Sequence, residues 1–134
     1  MREIKYIVIH CTASTQDASV EAIKKYWREK LKWRNVGYHY IIEASGKETQ
    51  LASIANVTNG VKGFNANAIH VAYIGGVDLH RKPIDNRTRE QKKALMARVM
   101  SLKKMFPNAQ VLGHRDFPNV AKACPSFDVK SEYK

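Results

Sequence analysis

Two short apolar runs at opposite ends of the chain each finish on a histidine, and they constrain the fold more than any other feature. Ile4-Lys5-Tyr6-Ile7-Val8-Ile9 leads into His10, and Gln110-Val111-Leu112-Gly113 leads into His114. The first reads as a strand buried on both faces, which requires a sheet covered on both sides. If the two strands are neighbours in one sheet, both imidazoles emerge at the same edge. The loop beyond His114 then brings Cys124 to them. Two imidazoles and a thiolate suit zinc and leave one tetrahedral corner open, the arrangement of a catalytic site and not of a structural one.

Between these ends the pattern predicts strand, helix, hairpin, strand, helix, strand. Thr12 to Asp17 is a polar loop, and Ser19 is the expected N-cap of a helix running to about Lys32. Val20, Ile23, Tyr26, Trp27 and Leu31 form its apolar stripe opposite the lysines. Trp27 reads as core and Trp33 as the better surface candidate. A strand is expected over Tyr38 to Glu43, with a hairpin at Ala44-Ser45-Gly46-Lys47 into Glu48 to Leu51. Residues 52 to 67 are irregular, and a loop of that length inside a compact domain is usually functional. Ile69 to Ile74 is the third central strand, closed by Gly75-Gly76, and Asp78 to Asn86 is a surface excursion. Thr88 with Gln91 forms a capping box, opening a helix whose Leu95, Val99, Leu102 and Phe106 share one face before Pro107-Asn108 stops it. One helical turn is expected within Phe127 to Lys134. This order describes a single α/β domain over residues 1–134, with a central mixed sheet and the two long helices covering its opposite faces.

At 134 residues the chain suits one substantial core. No apolar stretch approaches the length of a membrane span. The start, Met1-Arg2-Glu3-Ile4-Lys5-Tyr6, reads as the first strand and not as an export signal, so synthesis in the cytoplasm is expected. Two cysteines, Cys11 and Cys124, are then expected as free thiols, with Cys11 a small buried hydrophobe on the face opposite His10. The formal charge of +11 attracts polyanions such as nucleic acid, anionic membrane or an anionic cell wall. It is densest around Lys24, Lys25, Arg28, Lys30, Lys32 and Arg34, which reads equally as a solvated helix face. A nucleic-acid-binding role would need a recognition element, and the sequence has none.

Hydrolysis also needs a group that handles the water proton and one that stabilises the oxyanion. Tyr38 and Lys122 can serve, although alone they read as a half-buried strand tyrosine and a solvated loop lysine. Six ordered motifs extend the reading. These are Ile7-Val8-Ile9-His10-Cys11-Thr12-Ala13-Ser14, Val36-Gly37-Tyr38-His39-Tyr40-Ile41-Ile42, Lys62-Gly63-Phe64-Asn65, Ile74-Gly75-Gly76-Val77-Asp78, Gly113-His114-Arg115-Asp116 and Ala121-Lys122-Ala123-Cys124-Pro125-Ser126-Phe127-Asp128. Together they resemble the zinc-dependent N-acetylmuramoyl-L-alanine amidase family, in its small phage lytic form, related to peptidoglycan recognition proteins.

The resemblance implies a mixed sheet flanked by helices, with Zn2+ in a cleft at one end. His10, His114 and Cys124 would hold the metal, Tyr38 would assist the attacking water, and Lys122 would polarise the scissile carbonyl. The implied substrate is the amide between N-acetylmuramic acid and the L-alanine of the peptidoglycan stem peptide. A muropeptide-binding module without catalysis is the alternative, and Cys124 argues against it because such modules typically lack the thiolate. A monomer is expected, acting on the wall after release through a phage-made membrane hole or a secretion apparatus. The chain departs from the family pattern twice. Val57-Thr58-Asn59-Gly60-Val61-Lys62 has no histidine where relatives often carry one, and His70 stands in a strand where relatives usually have a small residue. His39 and His80 read as a polar strand residue and a loop residue, and Arg115, Asn65, Phe64 and Trp33 as weaker groove candidates.

Overall fold

The structure, a computed structural model, describes residues 2–118, 120 and 122–133. Met1, Ala121 of the last motif and Lys134 of the expected terminal turn lie outside the described residues. Five strands form one mixed sheet in a single domain: β1 (Tyr6–Cys11), β2 (Tyr40–Ile42), β3 (Glu48–Gln50), β4 (Ala68–Tyr73) and β5 (Gln110–Gly113), in the order β3-β2-β4-β1-β5. Only the β2–β3 hairpin is antiparallel. β1 runs parallel to both β4 and β5, so the two apolar runs that end on His10 and His114 are neighbours.

The alternation of side chains across a strand decides which residues meet. Ile7, Ile9 and Cys11 of β1, Ile69, Val71 and Tyr73 of β4, and Tyr40 and Ile42 of β2 form one face of the core. The residues between them, including His10 and His70, belong to the other face. Helix α2 (Arg89–Met105) covers the first face with Leu95, Val99 and Leu102, all fully buried. Its capping box is present as expected, and buried Gln91 also donates to the carbonyls of Ile42 and Ile74 at 3.2 and 2.9 Å. Thr88 accepts from the Gln91 N–H at 3.0 Å and donates to Ala44 at 2.6 Å, tying the helix start to the hairpin. Thr88→Ala is expected to cost about 1–2 kcal/mol of stability, the upper part of the range for a lost cap, read as a lower urea midpoint at unchanged slope.

The second long helix departs from expectation. Helix α1 (Val20–Glu29) starts at the Ser19 cap but ends before Lys32, where the backbone turns to a positive φ of 58°. The N–H of Trp33 then bonds the Trp27 carbonyl at 3.0 Å, and the two indoles stack at 6.2 Å. Only Trp27 of α1 is buried, whereas Tyr26 and Leu31 are 54% and 39% exposed. The apolar stripe therefore does not cover the second face of the sheet. That face is packed by Val61, Phe64 and Phe117 from irregular segments, together with Val8, Ala68 and Leu112.

The chain closes with a four-residue helix, α3 (Val129–Glu132). Buried Arg87 grips it through two bonds of 2.8 Å to Glu132, while also bonding Asp85 and lying 3.4 Å over the Phe127 ring. This clamp seats the segment that carries Cys124. A side chain at Gly76 would place Cβ 2.4 Å from the Cys11 sulfur, so only glycine lets that turn pass the end of β1.

Candidate metal centre

Because β1 and β5 are in register with Ile9 opposite Gly113, His10 and His114 leave the sheet side by side, their rings 4.8 Å apart. His114 begins a short 3-10 turn, and the Arg115 N–H bonds the Cys124 carbonyl at 2.9 Å, folding the loop back. The Cys124 sulfur accepts from the Cys11 N–H at 3.2 Å and lies 3.9 Å from His10 Nδ1. One ligand atom from each of His10, His114 and Cys124 lies within 4.8 Å of the other two. A tetrahedral zinc with bonds of about 2.0–2.3 Å holds neighbouring ligand atoms about 3.3–3.8 Å apart, so this donor set needs little movement to close on one ion. Both cysteines are free thiols, and Cys11 is buried as expected.

Electrostatics suit a cation. Burial holds His10 well below the ordinary imidazole range, helped by His70, His114 and Lys122. His114 is held at about 4 by burial and then by the Lys122 ammonium. Both rings are therefore neutral near pH 7, with a lone pair to offer. Hydrogen bonding to Cys11 and burial push the Cys124 thiol up in the metal-free chain, so binding a cation displaces a proton there. The Tyr38 ring lies tilted 4.9 Å from His10, and its hydroxyl donates to the Cys11 carbonyl at 3.2 Å. Burial, then Cys124 and Cys11, raise its pKa, which keeps the phenol protonated.

These residues line one cleft of about 660 Å³, with exposed Lys122 among them. Helix α1 lines it too, through Ala22, Ile23, Tyr26 and Trp27, with Leu31 and Trp33 beyond the helix end. Of the weaker groove candidates, Trp33 is in the cleft, whereas Arg115, Asn65 and Phe64 are not among its lining residues. Phe64 packs edge-on against Tyr6, and the Asn65 side chain bonds His70 behind the site. Sequence reasoning missed the cleft wall on α1 and the buried pair formed by His10 with His70, whose ring nitrogens lie 2.8 Å apart.

Residues 1–127 match the family model described as N-acetylmuramoyl-L-alanine amidase. The chain belongs to this amidase family. Among its relatives, an endolysin of Klebsiella phage KP32 is 35% identical over 131 residues, covering 96% of this chain and 85% of the relative. An endolysin of Escherichia phage T7 is 33% identical over 126 residues, covering 92% and 82%. The solved Ph2119 endolysin, from a Thermus scotoductus bacteriophage, superimposes with a TM-score of 0.79 at 26% identity, covering 93% of this chain and 79% of its own. At 21% identity, the amidase LysC of Clostridium intestinale shares the fold with a TM-score of 0.81, covering 98% and 82%. The shared amidase fold accounts for the mixed sheet. No helix among the described residues is long and apolar enough to cross a membrane.

Proposed function

We propose that this amidase is zinc-dependent and hydrolyses the amide between N-acetylmuramic acid and the L-alanine of the peptidoglycan stem peptide. The observation that carries the reading is the convergence of His10, His114 and Cys124 in a cleft that Tyr38 and Lys122 also line. Zn2+ held there would acidify water and polarise a carbonyl oxygen.

The residues around the ligands supply the rest. Neutral His10 and His114 keep their lone pairs available at the pH of the reaction. Tyr38, a protonated phenol beside His10, orients the attacking water and passes a proton towards the leaving amine. The Lys122 ammonium meets the charge that develops on the scissile carbonyl oxygen. Tyr26, Leu31 and Trp33 give the wall an apolar surface for sugar and peptide. The exposed basic residues of α1, Lys25 and Arg28 among them, favour approach to an anionic polymer, which raises encounter rate and not selectivity.

The test is mass spectrometry of bacterial sacculi digested by the zinc-loaded protein. Stem peptides with a free L-alanine amine, released from intact glycan, are expected. Lys122→Met is expected to lower kcat about 10²–10³-fold at unchanged zinc content, the loss typical of an oxyanion donor. New reducing sugar ends would instead mean a glycosidase, and full turnover by Lys122→Met would remove that lysine from the mechanism. Wall binding without hydrolysis in zinc-replete buffer would favour the muropeptide-binding module, against which the Cys124 thiol stands.

A further inference from the structure

His70 occupies the middle of β4, fully buried, on the same sheet face as His10. With both rings neutral, its hydrogen bonds form a chain that fixes each proton position. Asn65 Oδ1 accepts the Val61 N–H at 2.7 Å, and as a carbonyl oxygen it can only accept from His70 Nε2, 2.9 Å away. His70 Nε2 therefore carries the hydrogen and Nδ1 is bare. His10 Nε2, 2.8 Å from that bare nitrogen, must then donate to it. What remains unprotonated on His10 is Nδ1, the atom 3.9 Å from the Cys124 sulfur. The His70 ring is steadied further by its own backbone N–H, which donates to His39 Nδ1 at 3.0 Å.

Space for this ring is provided from the facing loop. A Cβ at Gly60 would fall 2.3 Å from His70 Nδ1 and 2.4 Å from two ring carbons. The two departures from the family pattern thus meet at one point: an imidazole at position 70 requires the absence of a side chain at position 60.

We infer that His70, backed by Asn65 and admitted by Gly60, is a positioning residue that fixes the tautomer and ring plane of His10 so that Nδ1 faces the metal. The inference rests on the reading of His10 as a ligand. Outer partners of this kind commonly change metal affinity by about 10–100-fold when removed.

The experiment measures zinc affinity of the metal-stripped full chain by competition with a chromophoric chelator, with thermal melts to verify folding. His70→Leu, which fills the space without an acceptor, is expected to bind zinc about 10–100-fold more weakly. His70→Asn places its Oδ1 where the imidazole Nδ1 stood and is expected to recover most of that loss. Gly60→Ala leaves every ligand intact but displaces the His70 ring, and is expected to weaken zinc binding as well. Wild-type affinity in His70→Leu, or equal losses in the leucine and asparagine variants, overturns the inference while leaving the amidase reading in place. Should His70→Leu not fold, the asparagine and Gly60→Ala variants decide, and wild-type affinity in Gly60→Ala overturns it. A wild-type chain that binds no zinc removes the ligand assignment itself, and this inference with it.

Discussion

Cys124→Ala is expected to strip the protein of its metal and abolish wall hydrolysis while leaving the fold in place. Zinc sites of four ligands bind with about 10–16 kcal/mol, so one thiolate accounts for about 3 kcal/mol, or on the order of 10²–10³ in affinity. A site with three protein ligands has no spare donor to make up that loss. Cys11 is not among the three converging donors, and its side chain packs into the core cluster against the Gly76 turn. The structural cost should be small, since Cys124 is only half-buried and sits in a loop held by the Arg115–Cys124 backbone bond and the Arg87 clamp. Metal analysis after dialysis, beside circular dichroism and the sacculus assay, reads the three quantities separately. One zinc per chain and normal turnover in this variant would refute the ligand assignment.

Acid should destabilise the metal-free protein steeply. His10 and His70 are held below the ordinary value of 6.5, first by burial and then by neighbouring cationic groups, whereas in the unfolded chain they titrate normally. Above about pH 6.5 both states carry the same protons, and these groups leave stability flat. Below it the unfolded chain binds protons that the native chain refuses. Stability is then lost progressively as the pH falls below about 6.5, because each of these groups takes up its proton only in the unfolded chain. Urea unfolding of the stripped protein at pH 7.5, 6 and 5 checks this, and a pH-independent midpoint would contradict it. Zinc should raise stability near neutral pH but steepen its loss with acid, because binding displaces the Cys124 proton and leaves the native state with fewer bound protons than the unfolded chain.

The parts of the fold legible in the sequence were those with a local cause. Burial on both faces marks β1, and the Thr88–Gln91 box and the Leu95–Val99–Leu102 stripe mark α2 without knowledge of any partner. Helix α1 shows where that reasoning stops. Its stripe has the right period, but a period does not say whether the face meets a sheet or an open cleft. The histidines show a second limit. Strand alternation tells that one side of His70 faces away from Ile69 and Val71. It does not tell that Val8 lies opposite His70, which sets His10 diagonally beside it. Register between strands 60 residues apart is a property of the assembled sheet. Asn65 was misplaced for the same reason: it lies near the site in space, one layer behind it.

Since α1 buries so little besides Trp27, its cleft-facing positions are loosely coupled to folding. A lineage could exchange Ala22, Ile23 or Tyr26 to accommodate differently cross-linked walls at small cost in thermodynamic integrity. The converging donors, on β1, the turn after β5 and the loop beyond it, would stay constant while the cleft wall changes along one exposed helix.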